Sequence, residues 1–176
     1  MLPSYPEAFH LTVGDLLRKQ VRIQPEAVAI QDTSRQWTFG QLDRRVNRLA
    51  NALAAQGIKR GDRVAILAEN CVPYVELELA AAKLGAIVPC LNWRLSDSEL
   101  VHCIQLTSPS LIFVSDRYAP NLQRIDHRVS RIVRLGGDYE VMLERSSEQE
   151  PRTEVDPEDG LVILYTSGTT GFPKGA

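Results

Sequence analysis

The chain has 176 residues, of which 44% are hydrophobic and 24% are charged, and its formal net charge is -2 at pH 7. This balance is that of a folded globular protein, and the charge provides no electrostatic footprint for nucleic acid or an anionic membrane. No apolar run is long enough to cross a bilayer, because the best stretch, residues 77–91, contains Glu78 and Lys83.

The first elements are predicted to be a helix, a short hairpin and a longer helix. Thr12 is placed to cap the first helix. Strands at residues 28–30 and 37–39 flank a polar turn and are predicted to pair as a hairpin. The longer helix has apolar residues at helical spacing, with Thr38 as its cap and Gly57 as its stop.

After Gly57 the pattern alternates between short apolar runs and amphipathic segments. The runs are predicted strands, at residues 64–67, 87–91, 111–114, 132–135 and 161–164. The amphipathic segments are predicted helices, at residues 72–84, 97–106 and 120–125, with Ser96 as the cap of the second. Pro89 suggests that its strand ends there or lies at a sheet edge.

Short apolar strands separated by amphipathic helices indicate a sheet that is covered on both faces. The predicted fold class is therefore α/β, with a βαβ-type, parallel-rich sheet and flanking helices. Residues 138–159 hold nine of the 22 acidic residues. We interpret that segment as a solvated connector that contains about one helical turn.

A few side chains could suggest a partner or a metal, but each has a plainer interpretation. Three arginines fall on the polar side of a helical pattern, Arg44, Arg45 and Arg48. We interpret them as a solvated helix face. Three cysteines match no metal or disulfide spacing, Cys71, Cys90 and Cys103. We expect reduced, buried or half-buried thiols in a cytoplasmic protein.

Two further local features argue against a secreted protein and against a metal site. Residues 1–7 have no basic start followed by an apolar core, so no signal peptide is predicted. His102 precedes Cys103, but adjacent residues of a helix point in different directions and cannot easily share a ligand. We therefore expect an ordinary packing or surface role for His102, and we predict no metal site.

The most informative segment follows the last predicted strand and reads Tyr-Thr-Ser-Gly-Thr-Thr-Gly-Phe-Pro-Lys-Gly over residues 165–175. Its glycines let the backbone approach a ligand and present N–H groups to it. Its hydroxyls can donate to phosphate oxygens, and Lys174 supplies a compact positive charge. A buried strand at residues 161–164 leading into such a loop indicates a cradle for a polyphosphate.

Three other interpretations of this loop are weaker. A Walker A loop has a glycine before its lysine and a hydroxyl after it, whereas Pro173 precedes Lys174 and Gly175 follows it. A hydrolase nucleophile elbow has glycines two residues before and after its serine, and neither is present around Ser167. A flexible loop without a ligand does not explain why these polar groups follow an apolar strand.

Residues 163–174 resemble the phosphate-binding loop of the adenylate-forming superfamily, which includes acyl-CoA synthetases, luciferases and the adenylation domains of peptide synthetases. Residues 82–89 look like the family's helix-to-strand segment, and residues 38–50 look like its first long helix. Residues 92–95, Asn-Trp-Arg-Leu, look more like fatty-acyl and aryl-CoA ligases than peptide-synthetase domains. The resemblance covers nearly the whole chain from Thr12 onward.

The resemblance implies an ATP-dependent carboxylate–CoA ligase that acts through an acyl-adenylate. It implies ATP, Mg²⁺ and coenzyme A, and a small-molecule carboxylic acid, fatty or aryl, as the substrate. By resemblance, seven loop residues would contact the nucleotide: Thr166, Ser167, Gly168, Thr169, Thr170, Gly171 and Lys174. Phe172 and Pro173 would shape the loop.

The resemblance also places the family's other site residues after Ala176, so we assign no catalytic or metal-binding residue here. We expect residues 1–176 to be the N-terminal portion of the large domain, without the C-terminal domain and without adenylation activity alone. We also expect the second strand of the loop to be missing, which would leave part of a sheet unpaired. Two alternatives stay open: an adenylation enzyme that loads a carrier protein, and a non-catalytic nucleotide- or partner-binding module. A homodimer is also left open.

Overall fold

The computed structural model describes residues 11–166 and 171–176. The helices are α1 (Val13–Ile23), α2 (Phe39–Ala55), α3 (Val72–Leu84), α4 (Asp97–Thr107), α5 (Ala119–Gln123) and α6 (Gly137–Glu144). The strands are β1 (Val28–Gln31), β2 (Gln36–Thr38), β3 (Val64–Leu67), β4 (Val88–Leu91), β5 (Leu111–Ser115), β6 (Ile132–Leu135), β7 (Val162–Ile163), β8 (Tyr165–Thr166) and β9 (Lys174–Gly175). The prediction about a signal peptide at residues 1–7 lies outside the described residues. Within those described, none of the helices has the length and apolarity needed to span a membrane.

A five-stranded sheet in the order β6-β5-β3-β4-β7 forms the centre of the fold. Each pair of neighbouring strands in it is parallel. Strand β3 is central, and its four residues are buried. The predicted α/β class with a parallel sheet and flanking helices is therefore confirmed.

Helices cover both faces of the sheet and divide the core into two halves. Val64 and Ile66 of β3 join the core under α2, α3 and α6. Ala65 and Leu67 of the same strand join the core under α4 and α5. This alternation is what a strand buried on both faces requires, because successive side chains point to opposite sides.

The predicted helix caps and the first hairpin are confirmed, whereas the helix predicted at residues 120–125 spans Ala119–Gln123. Thr12, Thr38 and Ser96 each form a capping box with the residue three positions later. Gly57 and Gly85 follow α2 and α3 with φ of +85° and +67°, in the left-handed region that favours glycine. Strands β1 and β2 pair in the antiparallel sense.

Pro89 does not lie at a sheet edge. Strand β4 lies between β3 and β7, with Pro89 opposite Ile163, so the edge prediction is wrong. The N–H of Val88 donates to the Leu161 oxygen at 2.7 Å on the β7 side. Because alternate N–H groups of a strand point to opposite neighbours, Pro89 removes a donor only on the β3 side.

Residues 138–159 are not a plain connector. Helix α6 occupies their first part, and two of their carboxylates reach cations on α2 and α3. Glu140 contacts Arg45 at 2.8 Å, and Glu150 contacts Lys83 at 2.8 Å. The connector prediction is wrong because a carboxylate that pairs with a distant cation has the same local sequence signature as a solvated one.

The helical pattern predicted that Arg45 lies on a solvated face, and this prediction is also wrong. Its guanidinium pairs with the fully buried carboxylate of Glu76 and with Glu140. Arg44 is exposed and Arg48 is half-buried. One of the three arginines therefore turns inward, because it has a buried counter-charge on α3.

The Glu140 contact gives the fold a specific acid sensitivity. Hydrogen bonding to Arg45 holds the pKa of the Glu140 carboxyl below its ordinary value of 4.5. Because the folded-state pKa is the lower one, this carboxylate contributes fully above pH 4.5, and its contribution is lost as the pH falls through the lowered pKa. We expect Glu140→Gln to flatten this acid limb when the urea midpoint is measured against pH.

A matched control for this prediction is Glu144→Gln, which changes an exposed carboxyl of the same helix. It should follow the wild type through the acid range. Equal acid slopes for the wild type and Glu140→Gln would contradict the stabilising role of the Glu140–Arg45 pair.

Candidate functional site

The loop that the sequence singles out joins the two strands of a hairpin. Strand β8 pairs antiparallel with β9, so that Thr166 lies opposite Lys174. Beside them, Leu164 and Ala176 exchange two backbone hydrogen bonds of 2.9 Å. The prediction that the second strand is missing is therefore wrong, because three residues after Pro173 are enough to close a short antiparallel ladder.

The strand leading into this hairpin is short and only half covered. Strand β7 lies at an edge of the described sheet, where Val162 is 37% exposed and Leu164 is 56% exposed. The apolar run predicted a buried strand, which is wrong because an edge strand has a neighbour on one side only. The strand is also shorter than the predicted run, since β7 covers only Val162–Ile163 and Leu164 bonds to Ala176 beside the hairpin.

Three of the seven predicted nucleotide contacts lie in the described part of the loop. Thr166 and Lys174 are cross-strand partners, so their side chains share one face of the hairpin, and both are exposed. Gly171 has φ of +93°, which disfavours any residue with a Cβ. The other four predicted contacts lie outside the described residues: Ser167, Gly168, Thr169 and Thr170.

The opposite face of the hairpin packs on α4 through Tyr165. Its hydroxyl donates to the Cys103 carbonyl oxygen at 3.2 Å and lies 3.3 Å from the Thr107 hydroxyl. Burial raises the pKa of Tyr165 to about 12, so the hydroxyl keeps its proton at neutral pH. Because successive residues of a strand point to opposite sides, this anchor turns Thr166 away from the helix, together with its partner Lys174.

Helix α4 also contacts the other arm of the loop. The Nε2 atom of His102 lies 3.1 Å from the Pro173 carbonyl oxygen. The rings of His102 and Phe172 have centroids 5.0 Å apart. No local pattern indicates this contact, because 71 positions separate His102 from Pro173.

A pocket of about 150 Å³ lies between the hairpin and the segment that follows β4. Asn92 and Leu95 line one side, and Thr166 and Gly171 line the other. The pocket is smaller than the roughly 300–1,000 Å³ typical of small-molecule sites, so it suits part of a ligand. Its walls bring together two segments that separately resemble the adenylate-forming enzymes.

No metal centre or reactive thiol is found in residues 11–166 and 171–176. No group of three or more His, Cys, Asp or Glu side chains there is arranged to hold a metal ion. The predicted burial of the thiols is confirmed, since Cys103 is buried while Cys71 and Cys90 are half-buried. Burial raises the pKa of Cys103 to about 11, which leaves this thiol protonated at neutral pH.

Comparison with known proteins connects these features to a family. Residues 17–176 match the family model described as AMP-binding enzyme. The chain is 35% identical to the fatty acid–[acyl-carrier-protein] ligase ScoC of Streptomyces coeruleorubidus, over 86% of this chain and 30% of that protein. It is 33% identical to the indoleacetate–CoA ligase of Aromatoleum aromaticum, over 94% of this chain and 34% of that protein.

Solved structures give the same result for the fold. The N-terminal domain of FACL13 from Mycobacterium tuberculosis, solved with an inhibitor, matches with a TM-score of 0.87 and 32% identity, over 93% of this chain and 43% of that chain. The chain spans about a third of the length of the curated relatives it matches. The family model covers nearly the whole chain, and the α/β fold ends in a glycine- and threonine-rich hairpin. This chain therefore belongs to the AMP-binding, adenylate-forming enzyme family.

Proposed function

We propose that this chain carries the phosphate-binding loop of an ATP-dependent carboxylate–CoA ligase. In the proposed reaction, a carboxylate oxygen of the acid attacks the α-phosphorus of ATP. The bond from that phosphorus to the bridging oxygen breaks, pyrophosphate leaves, and an acyl-adenylate forms. The thiol of coenzyme A then attacks the acyl carbon, and AMP leaves.

The observation that carries this proposal is the pairing of Thr166 with Lys174 across the hairpin. It sets a hydroxyl donor beside a compact ammonium group on one exposed face. Such donors stabilise the negative charge on a leaving pyrophosphate. The loop between them, residues 167–170, is proposed to add further hydroxyl and N–H donors to the β- and γ-phosphates.

Magnesium would enter this site with the nucleotide and offset part of the phosphate charge. Asn92 and Thr166 offer neutral oxygens to the small pocket, and the Glu99 carboxylate that also lines it already accepts from the Ser96 hydroxyl at 2.6 Å and the Ser96 N–H at 2.9 Å. We therefore assign the metal no side-chain ligand in the described part of the chain. The binding role of the loop does not depend on such a ligand, since Lys174 supplies its own charge.

We also propose that residues 1–176 form the N-terminal portion of the large adenylate-forming domain. The chain covers 30% and 34% of two curated relatives, which supports this placement. On this proposal, residues 1–176 alone have no adenylation activity. Assays of catalysis should therefore use the product of the uninterrupted reading frame.

A ligase that loads an acyl carrier protein is the second candidate, because ScoC, one of the relatives, is such an enzyme by name. The indoleacetate–CoA ligase is a similarly close relative that uses coenzyme A by name. Residues 92–95 line the loop pocket in part, and their resemblance to fatty-acyl and aryl-CoA ligases favours coenzyme A.

The test supplies the full-length protein with ATP, Mg²⁺ and a panel of fatty and aryl acids, with either coenzyme A or a phosphopantetheinylated carrier protein. AMP release and the thioester product are measured by mass spectrometry. We expect acid-dependent AMP release and an acyl-CoA. A thioester formed only on the carrier protein would favour the second candidate. ATP binding without AMP release for any acid would leave a non-catalytic binding module.

A further inference from the structure

Helix α4 holds the loop hairpin at both ends. On the entering arm, Tyr165 bonds to the Cys103 carbonyl near the C-terminal end of the helix. On the leaving arm, His102 contacts Phe172 and Pro173. The six residues between these anchors, 166–171, include all the polar side chains of the loop except Lys174, which follows the second anchor directly.

The hydrogen bond between His102 and Pro173 can have only one direction. A carbonyl oxygen only accepts hydrogen bonds, so the Nε2 atom of His102 must carry the proton and donate it. Pro173 is buried and has no N–H, so its carbonyl is its only backbone group to satisfy. A buried carbonyl needs a partner, and His102 supplies it.

Neighbouring charged groups on α4 are already bonded elsewhere. Asp97 pairs with Arg124 at 2.9 Å, and Glu99 accepts from the Ser96 hydroxyl at 2.6 Å. Neither carboxylate therefore competes with the Pro173 carbonyl for the imidazole of His102.

We infer that His102 is a positioning residue for the nucleotide loop, which fixes the Phe172–Pro173 arm so that Lys174 faces Thr166 across the hairpin. This inference rests on the proposed function of the loop. His102 does not contact the ligand in this arrangement. It acts through the Pro173 carbonyl, because the backbone of Pro173 leads directly into the strand that carries Lys174.

The test uses the full-length protein with His102→Phe and His102→Gln. Phenylalanine keeps a ring against Phe172 but removes the donor, whereas glutamine keeps an N–H donor at a similar reach. We expect His102→Phe to raise the Kd and the KM for ATP by about five- to tenfold, the effect of one lost hydrogen bond. The KM for the acid and the Tm should stay near the wild-type values, and His102→Gln should restore ATP binding.

A matched control is His127→Phe. The His127 side chain accepts a hydrogen bond from the Val129 backbone N–H, in the segment between α5 and β6. This variant should leave the Kd for ATP within twofold of wild type. If His102→Phe proves unstable, His102→Asn provides the same comparison, since its amide is too short to reach Pro173.

The ATP Kd is measured without acid, so it reports on the loop even if the wild type forms no adenylate. Failure of acid-dependent turnover would therefore reject the proposed function without deciding the role of His102. An unchanged ATP Kd in His102→Phe would overturn the inference. So would equal losses for ATP and acid with a lowered Tm, because those indicate general destabilisation.

Discussion

Replacing Lys83 by alanine is expected to destabilise the fold by about 3 kcal/mol. The Lys83 side chain is fully buried. Its Nζ atom lies 2.6 Å from Asp43, 2.7 Å from the Asn47 amide oxygen and 2.8 Å from Glu150. Removing the ammonium group leaves the Asp43 carboxylate, which is only 17% exposed, without its counter-charge. Glu150 is 40% exposed, which keeps the expected loss near the lower end of the range for buried pairs.

The polar cluster around Lys83 joins several elements, so its loss should destabilise the packing of one half of the molecule. Glu150 contacts Arg18 of α1 at 2.7 Å as well as Lys83 of α3. Asp43 and Asn47 belong to α2. Three helices and the acidic segment after α6 therefore meet at one polar cluster, and Lys83 is its central cation.

Urea unfolding of the wild type, Lys83→Ala and Lys83→Met measures this effect. Methionine keeps most of the apolar stem and removes only the charge, so most of the loss should remain. The matched control is Arg124→Ala, which breaks an exposed pair with Asp97 and should change the free energy of unfolding little, because solvent screens such a pair. A loss for Lys83→Ala as small as that of Arg124→Ala would contradict the assignment of a buried polar cluster.

Replacing Lys174 by methionine is expected to lower acid-dependent adenylate formation by about 10²–10³-fold, if the loop binds ATP as proposed. The ammonium group is exposed and lies across the hairpin from Thr166. Its loss removes the one described cation of the loop, while the uncharged donors remain. Because the side chain is exposed, the change should leave the Tm close to that of the wild type.

Steady-state kinetics on the full-length protein measure this prediction. Lys59→Met removes an exposed lysine from the turn before β3 and serves as the matched control, with activity near wild type. Unchanged turnover in Lys174→Met would show that this residue does not stabilise the leaving pyrophosphate. A fall in activity accompanied by a lowered Tm would indicate a structural role instead.

Local sequence signals predicted the helix caps and most elements of the sheet well. Thr12, Thr38 and Ser96 form capping boxes, and Gly85 ends α3 in a left-handed conformation. These signals depend on hydrogen bonds within four residues, so a sequence displays them directly. The parallel sheet was also predictable, because strands covered on both faces require short apolar runs.

Features that depend on distant partners were not predictable. Arg45 looks like any arginine on a polar helix face until Glu76 is placed beside it, 31 positions away in the sequence. Pro89 suggested an edge because its missing N–H matters on one side only, and the sequence does not show which neighbour lies on that side. Glu150 belonged to a segment whose composition indicated solvation.

At the candidate site, too, local features were predictable and contacts between distant segments were not. The loop at residues 165–175 was identified from its glycines, hydroxyls and lysine, which are local features. The pairing of Thr166 with Lys174, and the support of Pro173 by His102, arise from a hairpin that folds back onto α4. A pairwise contact of that kind has no signature in either segment alone.

Carboxylate-dependent exchange between ATP and labelled pyrophosphate reports directly on adenylation chemistry at this loop. It should be run on the full-length protein, on Lys174→Met and on residues 1–176 alone, with fatty and aryl acids. We expect exchange in the full-length protein with one class of acid, strong loss in Lys174→Met, and none in the 176 residues alone. Bound ATP without exchange for any acid in the full-length protein would contradict adenylation chemistry at this loop.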